Sequence, residues 1–492
     1  MMKCMGFRGI IAISALALAD GGYGQAVSLT CTTNQSNQNT VCGSMASNFA
    51  GTGTAAVTAF GYGALEFNTA SYNTAAGDFA LQDNATGIGN TAVGTVSLRD
   101  NVAGSNNTAI GYMAFLGLPN IAYESLSNNT ATGSGALQNN GGSSNTAVGY
   151  SALQGATYDE STSTGGGLGS NNTGVGAEAL YSYSTGSNNT AAGYQALFDN
   201  QTASNNTAVG YQALYTNDPE GSGIAIDNTA TGFQALYTNS SGAANTASGN
   251  MALFGNSSGG YNSADGFQAL YLNSSGSYNA AYGSQALFNS NGSSNTAVGY
   301  EAGYNVTTGS DNIHIGNKGA AADSKVIKIG TEGTQKKTLI AGIYSNTSIS
   351  GLTVVIGSNG ELGAVSSSER FKTDIETMGS TTERLQQLRP VTFHYKNDPQ
   401  GELRYGLIAE EVAKVYPELA VRGEHGRIDG VRYDELAPML LNEVQKERAT
   451  ISAQAQHAAV QDAEISALKA QLAEMHAAVE SLMSNNQFVA RR

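Results

Sequence analysis

The chain has 492 residues, of which only 12% are charged, and it carries a formal net charge of −15. Its 62 Gly residues and its lack of Trp are unusual for a globular enzyme and indicate a repetitive fibre or solenoid. Between Gly9 and Asn317 the single basic residue is Arg99. Such a surface would repel nucleic acid and anionic lipid, which proteins bind through Lys and Arg.

The N-terminus has the three parts of a secretory signal peptide. Lys3 and Arg8 form a basic start, residues 9–19 an apolar core and residues 24–26 a cleavage site of small residues. We therefore predict a signal peptide at residues 1–26 and export to the cell surface or the medium. The apolar run is too short to span a membrane, and we expect no transmembrane segment in the rest of the sequence.

Residues 27–42 form a polar N-terminal segment without clear periodicity. It contains Cys31 and Cys42, the two cysteines that remain once the signal is removed. In an oxidising compartment they are candidates for a small disulfide-closed loop. The alternative is a pair of free thiols.

An internal repeat with a modal period of 17 residues occupies residues 43–317. The repeats share an anchor Gly, and the residues that recur around it are Asn four before, Ala two before and three after, and Leu four after. The anchors are Gly43, Gly61, Gly77, Gly94, Gly111, Gly133, Gly149, Gly176, Gly193, Gly210, Gly232, Gly249, Gly266, Gly283, Gly299 and Gly316.

This pattern predicts a mainly β fold in which stacked rungs build a β-solenoid or β-roll rod. Each rung is predicted to hold a short strand with an inward Ala, followed by a turn of Asn, Ser and Gly. The recurrent Asn predicts amide ladders or closed turns. We expect the single Leu of each rung to fill an interior shared between three chains. At a strand spacing of about 4.8 Å the rod would be about 75 Å long.

Residues 318–365 are predicted to form a β connector. Strands are expected at the β-branched runs 326–330, 338–342 and 352–356. His314 replaces the inward Ala of the last rung and is expected to be structural. We predict neither a metal nor a cofactor, because the sequence has no Walker loop and no Cys or His cluster with metal-ligand spacing.

Four ordered motifs follow in the C-terminal part of the chain, at Ser366–Lys372, Leu388–Phe393, Tyr405–Val412 and Gly430–Tyr433. Together they resemble the peptidase S74 family, the intramolecular chaperone at the C-terminus of phage tail fibres and tailspikes, including endosialidases. The resemblance implies an α+β chaperone domain at residues 366–436 that directs trimer folding and then cuts its own chain. The repeats likewise resemble the head repeats of trimeric adhesins and the shafts of phage-type fibres.

In the family's motif a serine nucleophile precedes a lysine by five residues. The resemblance therefore implies a Ser367 and Lys372 dyad and a scissile bond between Ser366 and Ser367. Ser368 stands at the position of the family's Asp and Arg370 matches its Arg, so both are candidate supporting residues. A lysine can activate a serine only where burial or a neighbouring cation lowers its pKa. We expect assembly of the trimer to provide that burial.

Residues 437–483 are predicted to form a trimeric coiled coil, with a short tail at residues 484–492. The alternative is a lone amphipathic helix that packs on its own domain. Apolar residues follow three-four spacing. One core position is occupied by Ala437, Val444, Ile451, Ala458, Ile465, Leu472 and Val479, and the other by Leu440, Leu468, Met475 and Leu482, with Gln454 and Gln461 between them.

Three functions remain compatible with the sequence. The first is an exported homotrimeric fibre, adhesin-like or tail-fibre-like, that meets a glycan or protein receptor and is matured by self-cleavage. The second is a glycan-degrading spike, but its carboxylate pair needs a fixed separation, and the acids fall at inconsistent repeat positions. The third is a non-enzymatic recognition surface built on the Thr that lies three residues before the anchor Gly. That rank comprises Thr74, Thr91, Thr108, Thr146, Thr190, Thr207, Thr229 and Thr246.

Overall fold

The computed structural model describes residues 31–34, 37–46, 54–117, 126–155, 169–182, 184–341, 354–357, 360–364, 366–423 and 426–489. The predicted signal peptide lies outside the described residues. The chain divides into two compact units, Met1–Leu339 and Ile340–Arg492.

The first unit is a parallel β-solenoid, which confirms the predicted mainly β rod. A hairpin of two antiparallel strands opens it, and each later coil adds one strand that pairs in parallel with the strand of the coil before. The strands are β1 (Cys31–Asn34), β2 (Asn39–Cys42), β3 (Thr58–Phe60), β4 (Thr74–Ala76), β5 (Thr91–Val93), β6 (Thr108–Ile110), β7 (Thr130–Thr132), β8 (Thr146–Val148), β9 (Thr173–Val175), β10 (Thr190–Ala192), β11 (Thr207–Val209), β12 (Thr229–Thr231), β13 (Thr246–Ser248), β14 (Ser263–Asp265), β15 (Ala280–Tyr282), β16 (Thr296–Val298), β17 (Ile313–Ile315) and β18 (Ile327–Ile329).

Each coil buries its own apolar core. The Ala at the centre of a strand, such as Ala191, and the Leu after the anchor Gly, such as Leu197, are fully buried. Our expectation that the Leu side chains fill an interior shared between chains was therefore wrong. The backbone of Leu197 has a φ of 51°, a left-handed conformation, and Leu197 lies in the turn that follows the strand. The coils of a single chain therefore enclose its Leu side chains.

The close stacking of the coils requires the anchor Gly in the repeats from Gly43 to Gly283. Gly193 has a φ of +143°, and a Cβ built there would lie 2.3 Å from the carbonyl oxygen of Gly210 in the next coil. A side chain would therefore be strained by the backbone conformation and would also collide with the neighbouring coil. This explains why glycine recurs at this position from Gly43 to Gly283.

Two ladders of buried Asn side chains run through the coils and confirm the predicted amide ladders. In the first, the backbone N–H of Asn206 donates to Oδ1 of Asn189 in the previous coil at 2.9 Å. In the second, Nδ2 of Asn256 donates to Oδ1 of Asn239 at 2.8 Å. These bonds satisfy polar groups that would be costly to bury without partners.

Both ends of the solenoid differ from its repeats. At the start, a disulfide joins Cys31 and Cys42 across the β1–β2 hairpin. At the other end, His314 is fully buried in place of the inward Ala, and its Nε2 lies 3.0 Å from Oδ2 of Asp323. Asp323 also accepts a hydrogen bond of 2.7 Å from Nζ of Lys328. The apolar core therefore ends in a paired polar group.

In its described residues the second unit contains three antiparallel strand pairs and two α-helices. Residues 338–341, which we predicted to begin a strand, lie in a loop without a strand partner, where Leu339 is 90% exposed. The pairs are β19 (Val354–Ile356) with β20 (Leu362–Ala364), β21 (Val391–Phe393) with β22 (Arg404–Gly406), and β23 (Ala420–Arg422) with β24 (Ile428–Val431). The helices are α1 (Ala409–Val415) and α2 (Tyr433–Val489), and 3-10 helices span Glu369–Phe371, Gly379–Gln387 and Pro417–Leu419.

A small apolar core holds this unit together around α1. Val412, Tyr416 and Leu419 are buried, and the side chains of Leu385, Leu388 and other partly buried apolar residues pack against them. Because this core is small, most of the other apolar side chains of the unit remain at its surface.

Candidate functional site

A short turn brings Ser367 and Lys372 together. The segment between them forms the 3-10 helix Glu369–Phe371, in which the N–H of Phe371 bonds to the carbonyl of Ser368 and the N–H of Lys372 to that of Glu369, both at 3.0 Å. A fully extended chain would carry five residues over about 17 Å. The turn instead places Nζ of Lys372 3.2 Å from Oγ of Ser367. This contact has the geometry of a nucleophile and its base.

The pair lies on the open surface of the single chain. Ser366, Ser367 and Lys372 are all exposed. Water favours the charged form of an amine, whereas a general base must be neutral to accept a proton. The single chain therefore supplies the geometry of a Ser-Lys dyad without the burial that would activate it.

Ser368 and Arg370, the candidate supporting residues, contact each other within the same turn. Nε of Arg370 donates to Oγ of Ser368 at 3.2 Å, and the guanidinium carbon lies 5.3 Å from the ring centroid of Phe371. A hydroxyl accepts a weaker hydrogen bond from a guanidinium than a carboxylate does. Ser368 therefore holds Arg370 less firmly than an Asp would at this position.

A polar cluster around the buried Thr382 joins the 3-10 helix Gly379–Gln387 to the first turns of α2. Thr382 is fully buried; its Oγ1 donates to Glu443 and accepts hydrogen bonds from Asn442 and Lys446. Hydrogen bonds from Thr382 and Lys446 hold the pKa of Glu443 below its usual value. Sequence reasoning missed this cluster because Thr382 and Asn442 are 60 residues apart and no local spacing connects them.

Two aromatic residues also connect the elements of this unit. The hydroxyl of Tyr416 donates to the carbonyl of Thr381 at 3.1 Å, and the guanidinium carbon of Arg384 lies 4.5 Å from the Tyr416 ring centroid. At the start of α2, the hydroxyl of Tyr433 accepts the N–H of Leu407 at 2.8 Å. The first turns of α2 are therefore anchored to the unit that carries Ser367 and Lys372.

The remainder of α2 carries an apolar seam that has no packing partner among the described residues. Six residues with alternating three-four spacing are between 46% and 65% exposed. They are Ile465, Leu468, Leu472, Met475, Val479 and Leu482. A continuous seam of this spacing is typical of a helix that packs against partner helices.

The comparisons with known proteins bear on this C-terminal segment. No curated protein and no solved structure shows significant similarity to the chain. Among the described helices, none has the length and apolar character needed to cross a membrane. Residues 367–421 match the family model Peptidase_S74, described as the chaperone of endosialidase. The segment that follows the β-solenoid and begins at Ser367 is therefore of the peptidase S74 type.

Proposed function

We propose that the protein is an exported, surface-exposed trimeric fibre, adhesin-like or tail-fibre-like, whose C-terminal segment directs trimer folding and then cuts itself from the rod. The observation that carries this proposal is the 3.2 Å contact between Nζ of Lys372 and Oγ of Ser367, at the residue where the family match begins.

A rod of near-identical coils needs a device that sets its register. Three chains whose strands repeat every 17 residues or so can align one coil out of step with little loss of contact. We infer that the exposed seam of α2 is this register-setting device. Three such helices that zip together would hold the chains in one alignment before the coils fold, and they would lower the entropic cost of bringing the chains together.

In the proposed cleavage, Oγ of Ser367 attacks the carbonyl carbon of Ser366 while Lys372 accepts the hydroxyl proton. The C–N bond between Ser366 and Ser367 breaks. Its nitrogen takes that proton back from Lys372 and becomes the free amino group of Ser367, and an ester now joins the Ser366 carbonyl to the Ser367 oxygen. Water hydrolyses the ester, which leaves a carboxylate on Ser366 and restores the serine hydroxyl.

The exposure of the dyad supports a dependence of cleavage on assembly. Ser367 and Lys372 face solvent in one chain, and the neighbouring copies of a trimer would exclude water from them. Exclusion of water favours the neutral amine that proton transfer requires. Cleavage would then occur only in assembled chains and would make folding hard to reverse, because the chaperone segment is discarded.

The test is intact-mass analysis of the full chain and of Ser367→Ala, Lys372→Ala and Ser366→Ala forms. We expect the parent chain and the Ser366→Ala control to split between residues 366 and 367. The Ser367→Ala and Lys372→Ala forms should remain whole while they still assemble. A parent chain that forms a stable trimer and stays uncut would overturn the proposed self-cleavage.

A further inference from the structure

Each coil of the solenoid turns three side chains outward beside its strand. They lie three residues before, one before and one after the anchor Gly, and we call these positions together the strand face. In the coil of Gly210 they are Thr207, Val209 and Tyr211. Val209 is 41% exposed and Tyr211 is 44% exposed, whereas Ala208, between Thr207 and Val209, is fully buried. The strand face is therefore the outer surface of the parallel sheet.

The strand face is almost free of charge. Across the coils from Gly43 to Gly316 its only charged residues are Asp78 and Asp265. Thr is the commonest residue at the first position, and Val, Ile, Ala, Thr or Ser is common at the second. Tyr or Phe recurs at the third. Exposed pairs such as Ile110 with Tyr112 and Val148 with Tyr150 repeat this apolar pattern in other coils.

Three consecutive aromatic rings of this face stack on one another along the coils. The ring centroids of Tyr194 and Tyr211 lie 5.4 Å apart, and those of Tyr211 and Phe233 lie 5.2 Å apart, with interplanar angles of 17° and 7°. Their ring faces are turned toward one another along the stack of coils. Within this run the central ring, Tyr211, is covered on both of its faces by its neighbours and offers no free aromatic face to a sugar ring.

The area and the charge of the strand face fit a second copy of this chain. A half-exposed aromatic side chain offers on the order of 100 Å². The eight Tyr and Phe at the third position would alone bury on the order of 800 Å² per copy, about one side of a stable protein interface. Elsewhere the coils carry scattered acids and Arg99 as the single basic residue, so two rods repel each other at their other faces.

We propose that copies of this chain pack against one another along the rod through the strand face. The proposal rests on the proposed trimer and identifies the rod surface that the trimer buries. Because the strands of every copy repeat with the same spacing and direction, the Thr, Val and Tyr ranks of one copy can meet those of the next coil by coil. Asp78 and Asp265 then bring like charges from the copies together within a contact that is otherwise uncharged.

Thiol labelling of the full chain tests this proposal. Val209→Cys places a thiol on the strand face, and Ser258→Cys places one on an exposed turn away from it. The parent chain, labelled in parallel, gives the background. In the assembled protein we expect maleimide to modify the Val209→Cys thiol several-fold more slowly than the Ser258→Cys thiol. In urea the two thiols should react at similar rates.

Charge substitutions give a second readout that does not depend on labelling. Val209→Asp should lower the urea midpoint of the assembled rod, Asp265→Val should raise it, and Ser258→Asp should leave it nearly unchanged. Suppose sedimentation shows a trimer but the Val209→Cys thiol reacts as fast as the Ser258→Cys thiol. In that case the strand face is exposed to solvent in the assembled protein, and its row of Thr side chains is accessible to an external ligand. The packing proposal is then wrong, although the proposed trimer is supported. A single-copy protein in sedimentation would overturn both.

Discussion

The second Asn ladder of the solenoid offers a sharp test of how the coils are held together. Asn256 is fully buried; its Nδ2 donates to Oδ1 of Asn239 at 2.8 Å and to the carbonyl of Gly259 at 2.9 Å, and its Oδ1 accepts Nδ2 of Asn273 at 3.0 Å. Asn256→Ala removes all three bonds. Oδ1 of Asn239 loses this donor, and Nδ2 of Asn273 loses one acceptor.

A buried polar group that loses its hydrogen bond costs about 1–3 kcal/mol. Nδ2 of Asn273 keeps the carbonyl of Gly276, and the carbonyl of Gly259 keeps Nδ2 of Asn245. Oδ1 of Asn239 is therefore the group most affected by Asn256→Ala, and we expect the free energy of unfolding to fall by about 1–3 kcal/mol per chain. Ser258→Ala, an exposed substitution two residues away, should change it by less than about 0.5 kcal/mol.

Urea unfolding measures the loss, and native-state hydrogen exchange locates it. We expect Asn256→Ala to lower the urea midpoint and to reduce protection in the coils that contain Asn239, Asn256 and Asn273, since repeat coils are stabilised mainly by their neighbours. If Asn256→Ala changed the midpoint no more than Ser258→Ala does, the reasoning that the ladder stabilises the rod would be refuted.

Three further substitutions test other parts of the rod. Beyond Asn273 the ladder is interrupted by Ser290, and Oδ1 of Asn273 lacks a partner among the described residues. Ser290→Asn should therefore raise the free energy of unfolding by about 0.5–1.5 kcal/mol. An unchanged urea midpoint would contradict this. Gly193→Ala puts a Cβ 2.3 Å from the Gly210 carbonyl oxygen and should lower the free energy of unfolding by about 3 kcal/mol or more. In the control Gly363→Ala the added Cβ meets nothing within 4 Å, and this variant should fold as the parent does. Burial raises the pKa of Asp323, but hydrogen bonds from Lys328 and His314 outweigh it and hold that pKa below 3.8. The stability that the Asp323 carboxylate gives the last coil is therefore present above pH 3.8 and is lost as the pH falls through the pKa of the folded protein. Asp323→Asn should remove this acid sensitivity of hydrogen exchange in β17 and β18. The control Asp311→Asn, on an exposed turn of the same coil, should retain it.

The repeat made the strands and ladders of the solenoid predictable. A strand with an inward Ala and a buried Asn recurs in coil after coil, so the sequence shows many times which residue each position prefers. The structure confirms the strands and the Asn ladders. The backbone of the turn after the anchor Gly was not predictable in this way. Leu197 adopts a φ of 51° there, and composition does not predict a left-handed Leu, because this conformation is unfavourable for residues with a branched or bulky side chain. Its burial within one chain was therefore missed.

The C-terminal unit was predictable only where a motif is local. The five-residue spacing of Ser367 and Lys372 matches the contact that the structure forms through a single turn. The cluster around Thr382 depends on residues of α2 that are 60 or more positions away, so no sequence window contains it. For residues 338–341 the expected strand rested on β-branched composition alone, and β propensity without a pairing partner does not make a strand.

The mass in solution of the uncut full chain tests the proposed trimer most directly. Ser367→Ala should keep rod and chaperone segment in one polypeptide, and sedimentation equilibrium then counts the copies in the particle. We expect three chains per particle at every protein concentration that can be measured. A folded particle that contains one chain would contradict it.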